Sequence, residues 1–326
     1  MIENASLSLH RQLEPSISGC HWQLVCQCKL LNTAGQASSG TQTIVRSATW
    51  IVLAAVVGCA TFGTARAAES GKTEHRPHVV FVTGDDEYRS EITMPMLARI
   101  LESQHRMRTT VLYARPTPKS KDNIEGLDAL KTADLAVFYL RFRALPEEQL
   151  KQILAYVDAG KPIVGLRTST HAFAYPKGHA RAALNDSFGR DVFGQKWLYH
   201  HGHTSTTDVE IVSAQREHPI LRGIEPKFNV LSWLYHVLPL KGEVTPLLMG
   251  QAVHSEQKEQ VPNPVAWTKT HRGGKVFFTT LGHPADFEVE SVRRLLVNSI
   301  YWGLGRDVPA KAEVPVPAGY ATPPTH

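Results

Sequence analysis

Beyond Cys59 this 326-residue chain has no cysteine; its four, Cys20, Cys26, Cys28 and Cys59, all stand near the N-terminus. Cys26 and Cys28 are too close together for a zinc pair of the usual spacing. Once the N-terminal segment is removed, disulfides and thiol nucleophiles are excluded from the mature domain. Also missing are a G-x-S-x-G elbow, a G-x-G-x-x-G turn, a Walker loop and an H-E-x-x-H helix, each the signature of a familiar chemistry. Catalysis must then use His, carboxylate, Arg or a bound metal. No run of basic residues concentrates the formal net charge of +5, so a nucleic-acid partner is not indicated. No apolar run is long enough for a membrane span.

The N-terminus carries export signals instead. Trp50-Ile51-Val52-Leu53-Ala54-Ala55-Val56-Val57 is flanked upstream by Arg46 and downstream by Ala65-Arg66-Ala67. A basic flank, a short apolar core and an A-x-A site make residues 45–67 a signal peptide cleaved after Ala67, and the protein secreted or periplasmic. Val56-Val57-Gly58-Cys59 also resembles a lipobox that would lipidate Cys59, but the apolar core before it is short and ordinary cleavage is favoured. Residues 1–44 show no regular apolar period and read as an extension upstream of the true start. Residues 68–77 read as a polar linker, 78–305 as one domain, and 306–326, rich in Pro and Ala, as a disordered tail.

Within the domain, apolar runs at 78–83, 107–113, 133–139 and 162–166 read as strands. Helical faces at Ile92, Met96, Leu97, Ile100 and Leu101, and at Leu150, Ile153, Leu154 and Val157, fall between them. That alternation is the grammar of a doubly wound α/β sheet. Further strands are expected at 208–212, 228–238 and 244–249. The runs at 264–269 and 275–280 flank His271-Arg272-Gly273-Gly274, a hairpin signature. A last helix presents Val292, Leu295, Leu296 and Ile300.

The stretch Lys161-Pro162-Ile163-Val164-Gly165-Leu166 breaks directly into Arg167-Thr168-Ser169-Thr170-His171. Ligands of open parallel sheets bind beyond the carboxyl ends of strands, so this is the profile of an active-site strand; a polar turn whose hydroxyls cap backbone groups would look the same. Three further clusters stand at strand ends or in loops: Asp85/Asp86/Glu87/Tyr88, His200/His201/His203, and His283/Asp286. The acidic triplet serves equally as a helix cap. On an extended segment His201 and His203 would face one way, a workable spacing for a divalent metal. Trp267 and Phe173 fit either the core or a platform for a sugar ring.

Gly165-Leu166-Arg167-Thr168-Ser169-Thr170-His171-Ala172-Phe173, His218-Pro219-Ile220 with Gly223, Pro264-Val265-Ala266-Trp267-Thr268 and Phe277-Phe278-Thr279-Thr280-Leu281-Gly282-His283 together resemble the ThuA-like (trehalose utilisation) family. The resemblance implies a flavodoxin-like, class I glutamine amidotransferase-like fold: a doubly wound, mostly parallel sheet with added antiparallel strands. It also implies disaccharide catabolism through keto-sugars. Amidotransferase chemistry is not implied, because Arg167-to-His171 occupies the turn where that superfamily has its cysteine. Ser232-Trp233-Leu234-Tyr235-His236 departs from the acidic Asp-Glu-x-Tyr type of element that the resemblance leads one to expect.

The resulting expectation is a sugar-acting protein that abstracts a proton beside a carbonyl. His171 would be the base, His283 its partner, and Arg167 the group facing the developing enolate. Asp85, Glu87, Tyr88, Ser169, Trp267 and Asp286 would hold the substrate, and His201 and His203 a divalent metal. The alternatives are a non-catalytic carbohydrate-binding module and a metal-dependent hydrolase.

Overall fold

The computed structural model describes residues 75–256 and 261–324. The expected extension (1–44), signal peptide (45–67), Cys59 and most of the linker (68–77) lie outside the described residues. The first part of the domain alternates strand and helix: β1 (His78–Gly84), α1 (Ser90–His105), β2 (Arg108–Leu112), β3 (Leu135–Leu140), α2 (Glu147–Asp158), β4 (Ile163–Leu166) and α3 (Leu184–Phe188). Then come β5 (Tyr199–His200), β6 (Thr206–Ile211), β7 (Lys227–Val230), β8 (Tyr235–His236), β9 (Val244–Val253), β10 (Asn263–His271), β11 (Gly274–Thr279) and α4 (Glu290–Gly303).

Nine of these strands form one sheet in the order β2-β1-β3-β4-β11-β10-β9-β6-β7. From β2 to β11 the neighbours run parallel; from β11 to β7 they run antiparallel. β5 and β8 pair separately as a short ribbon. The mostly parallel doubly wound sheet with antiparallel additions is thus present.

Alternation along β1 shows why both faces must be covered. Val79 and Phe81 pack into the core shared with Met94, Leu97 and Ile100 of α1 and Leu295, Leu296 and Ile300 of α4. Val80 and Val82 point the other way, into the core holding Leu150, Ile153 and Val157 of α2 and Phe188 of α3. Successive strand side chains alternate faces, so a strand apolar at every position needs helices on both sides.

The hairpin expected at His271–Gly274 joins β10 and β11, with Arg272 and Gly273 at φ 52° and 81°, the left-handed pair that suits the strand twist. The strand expected at 228–238 is interrupted. The Asp286 carboxylate takes the amide protons of Leu231 and Ser232, ending β7 and turning the chain toward β8. The tail also differs from expectation. Val308, Ala312 and Val314 are buried; Arg293 Nε and Arg294 Nε of α4 donate to the carbonyls of Val314 and Ala312 at 2.8 and 3.0 Å. Low hydrophobic content hid these backbone anchors. Among the described residues no helix is long and apolar enough to cross a membrane.

Gly165 of β4 is where the sheet meets the segment after α3. A Cβ there would overlap the Phe193 ring and come within 2.8 Å of Phe278 Cδ2. Both rings are fully buried. Gly165→Ala should therefore cost about 1–3 kcal/mol, read as a lower denaturation midpoint with unchanged urea dependence.

Candidate active site

The carboxyl ends of β1, β3, β4 and β11 lie at one rim of the sheet, and Arg167 is the group around which they gather. It opens the 3-10 turn Arg167–His171 directly after β4, with a left-handed φ of 39°, a conformation that a non-glycine residue holds only when its surroundings fix it. Its guanidinium is fully buried. It donates to the Thr280 carbonyl at 2.8 Å and the Tyr88 hydroxyl at 3.1 Å, with a longer contact to the Trp233 carbonyl at 3.4 Å. The rings of Tyr88, Tyr235 and Trp233 stand 4.4, 4.5 and 5.8 Å from its central carbon. Among the described residues no carboxylate pairs with it: Glu87 is taken by Arg141. A buried cation is thus held by carbonyls, a phenol and π faces.

His171 closes the same turn. Its ring lies 4.9 Å from Phe142, 5.3 Å from Trp197 and 6.4 Å from Tyr235. Burial, and then the positive charges of Arg141 and Arg167, push its imidazole down to about 3, so it is neutral. The Thr170 hydroxyl spends its proton on the Arg167 carbonyl and lies 3.2 Å from His171 Nδ1. It can then only accept from Nδ1, which leaves the lone pair on Nε2.

His283 follows β11 and contacts Tyr88 and Trp233 edge-on at 6.2 and 6.0 Å. Its Nδ1 accepts the Ala285 amide, so its proton sits on Nε2; burial chiefly lowers its pKa. His171 and His283 therefore both reach the ring cage of Arg167, one through Tyr235 and the other through Tyr88. The rest of the rim comes from residues with some solvent exposure: Glu87, Arg141, Phe142, Trp197, His200, His203 and Trp233. His203 stacks on Trp233 at 4.0 Å. His200 lies between Trp233 and Trp197 at 5.5 and 6.1 Å. Trp197 Nε1 is buried with no hydrogen-bond partner among the described residues.

Several expected substrate contacts are sealed instead. Trp267 is 0% exposed and donates its indole N–H to the Phe193 carbonyl at 2.7 Å; it is core. Ser169 Oγ donates to the Phe138 carbonyl and accepts from the Leu140 amide, locking the turn to β3. The buried Asp286 accepts from the amides of Leu231, Ser232 and Gly282 and from the Ser232 hydroxyl at 2.5–3.0 Å. Asp85 is also buried; it accepts from the amides of Glu87 and Tyr88 and from the Thr168 hydroxyl, and desolvation pushes it up to about 6. These carboxylates organise loops and have no face toward solvent.

The expected His201/His203 metal pair is not formed. The chain leaves the strand conformation after His200, so His203 turns to Trp233 while buried His201 contacts His236 and Ser255. Among the described residues no group of three or more His, Cys, Asp or Glu side chains could hold a metal ion. Sequence reasoning missed Trp197, Arg141, Phe142 and Trp233 as rim residues. Trp233 was visible only as a departure from a motif. A cleft of about 760 Å³, lined by His75, Arg76, His105 and Tyr301 among others, lies at the opposite, N-terminal end of the strands, away from these groups.

Comparison with known proteins bears on the whole domain. The model of the ThuA, or trehalose utilisation, family matches residues 78–303. A ThuA-like protein of Bacteroides uniformis has a similar structure, with TM-score 0.52 and 15% identity over 74% of this chain and 96% of its own. One from Parabacteroides merdae gives 0.51 and 19%, over 77% and 96%. No curated protein matches the chain.

Two perturbed groups at this rim, His171 of the turn and Asp85 bonded to it through Thr168, act oppositely on stability. His171 is neutral in the fold, whereas its unfolded form binds a proton below the ordinary 6.5, so it destabilises as pH falls from 6.5 toward 3. Asp85 is protonated in the fold up to about 6, whereas its unfolded form ionises above 3.8; it stabilises as pH falls from 6 toward 3.8. His105 and His218, both lowered by burial, reinforce the loss. In thermal denaturation from pH ~7 to ~4, His171→Leu should flatten the acid-side fall in Tm, and Asp85→Asn should steepen it.

Proposed function

The chain belongs to the ThuA (trehalose utilisation) family, and from that membership we propose that it acts on a sugar in disaccharide breakdown, by proton transfer beside the carbonyl of a keto-sugar. The observation that carries this reading is the juxtaposition of a neutral imidazole, His171, with a buried guanidinium, Arg167, that has no counter-ion among the described residues. Such a site is short of one negative charge. An enolate developing beside His171, within the field of Arg167, would supply it, and would favour the imidazolium that His171 becomes.

The step starts with the Nε2 lone pair of His171, fixed there by Thr170. It takes the proton from the carbon beside the carbonyl, and the electron pair moves to the carbonyl oxygen. Arg167 is fully buried beneath the rings of Tyr88 and Tyr235, so it acts through its field and not by contact. His283, with its proton on Nε2, is placed to donate toward an oxygen. The indoles of Trp197 and Trp233 offer faces for the apolar side of a sugar ring, and Trp197 Nε1 is a donor awaiting an acceptor.

A second reading, a carbohydrate-binding module without turnover, is favoured by one feature: Trp233 stands in the element where a carboxylate is expected. We also propose export, on the strength of the signal at residues 45–67.

Incubation with a 3-keto-disaccharide in D₂O separates the two readings. Turnover predicts deuterium at the carbon beside the carbonyl, lost by roughly 100-fold or more in His171→Ala, with binding of the parent disaccharide unchanged within about threefold. Saturable binding with no deuterium uptake by the unmodified protein would leave only the binding module. For export, deletion of residues 45–67 should retain the protein in the cytoplasm, and secretion of the deleted form would refute the signal.

A further inference from the structure

A buried tyrosine normally spends its hydroxyl on a partner, because ring and polar tip leave water together. Among the described residues five tyrosines are buried: Tyr88, Tyr139, Tyr156, Tyr175 and Tyr235. Tyr139, Tyr156 and Tyr175 donate to the carbonyls of Gly282, Pro162 and Leu145 at 2.7–2.8 Å. The Tyr88 hydroxyl accepts from Arg167 at 3.1 Å. Tyr235 is 2% exposed, yet its hydroxyl has no hydrogen-bond partner among the described residues. Nor does it belong with the sealed polar atoms that lack a partner there, such as Trp197 Nε1 and Arg167 Nε. The tip of this side chain is open while the rest of it is enclosed.

What the tip opens toward follows from its place in the fold. Tyr235 of β8 stands opposite His200 of β5. Neighbouring strand residues point to opposite faces, so Tyr199 and His236 lie on the far side of the ribbon. The Tyr235 ring is 4.5 Å from Arg167 Cζ, 6.4 Å from the His171 ring and 6.1 Å from the His200 ring. These are the groups of the candidate site.

A phenol with no acceptor in the fold can give its hydrogen bond to a ligand oxygen. Burial chiefly raises the pKa of Tyr235 above the ordinary 10, so it stays a protonated donor at neutral pH. Arg167, against the ring, pulls the other way and polarises the O–H. The guanidinium itself reaches a ligand only through its field; the hydroxyl turns part of that field into a contact.

We propose that Tyr235 is a further catalytic residue, whose hydroxyl donates to the carbonyl oxygen of the substrate. The proposal rests on the proton-transfer reading of the site. The hydrogen bond strengthens as His171 takes the neighbouring proton and the electron pair moves to that oxygen. The phenol keeps its own proton, so the step ends with an imidazolium and an enolate, and Arg167 behind the ring. His283, reached through Tyr88, is left for another oxygen of the sugar.

Tyr235→Phe keeps the ring beside Arg167 and removes only the oxygen. With a 3-keto-disaccharide in D₂O, kcat for deuterium uptake beside the carbonyl should fall roughly 100- to 1000-fold, with KM changed by less than about threefold. Its Tm should not fall, since no bond within the fold is lost. Tyr156→Phe should do the reverse, lowering Tm through loss of the bond to Pro162 and leaving uptake unchanged. Uptake by Tyr235→Phe within about threefold of the unmodified protein overturns the proposal and leaves the proton-transfer reading standing. A Tm lower by more than ~3 °C, the equivalent of one hydrogen bond, overturns it as well, because the hydroxyl would then be holding the fold. No uptake by the unmodified protein removes the reading and the proposal together.

Discussion

A guanidinium buried with no carboxylate partner among the described residues is the feature that shapes this rim of the sheet. Arg167 cannot lose its proton at any relevant pH, so the fold must stabilise the charge by other means. It does so with the Thr280 carbonyl, the Tyr88 hydroxyl and three aromatic faces. Those groups come from the loop after β1, the end of β11 and the approach to β8. Holding one cation therefore fixes three distant segments against each other. The strained φ of Arg167 is the local cost of pointing its side chain back under the rings.

Asp286 does for the backbone what Arg167 does for the rings. By accepting from Leu231, Ser232 and Gly282 it joins the end of β7 to the loop after β11. The chain then passes through Trp233 to Tyr235, delivering two of the three rings around Arg167. Ser232 supports the same junction, with its hydroxyl donating to Asp286 and accepting from the amides of Gly282 and His283.

Much of the fold was legible because its signals are local. Runs apolar at every position mark strands covered on both faces, as in β1, β3 and β4, and the Arg-Gly-Gly turn marks the β10–β11 hairpin. The candidate site was legible in part. The break from Leu166 into Arg167 and His171 pointed to the turn that stands at the rim, and His283 to the loop after β11. The identities of the rim residues were not legible, because they depend on which distant loop reaches the rim. Trp197 and Trp233 enter only through the β5–β8 ribbon, a pairing of two residues per strand that no periodicity reveals. Asp286 and Trp267 misled for the opposite reason: a carboxylate or indole near a strand end looks the same whether it faces solvent or is spent on backbone groups. The tail misled because its order comes from arginines of α4 bonding to carbonyls, which composition does not record.

A neutral imidazole beside a guanidinium that has no counter-ion among the described residues is the arrangement on which the proposed chemistry stands, and the nitrogen chemical shifts of His171 report on it directly. In ¹⁵N-labelled protein, assigned by comparison with His171→Leu, a neutral ring protonated on Nδ1 is expected, with shifts constant from pH ~8 down to ~4.5. A His171 that titrates near its ordinary 6.5 would contradict it, because the imidazole would then be a solvated group and the positive field of Arg167 would not reach it.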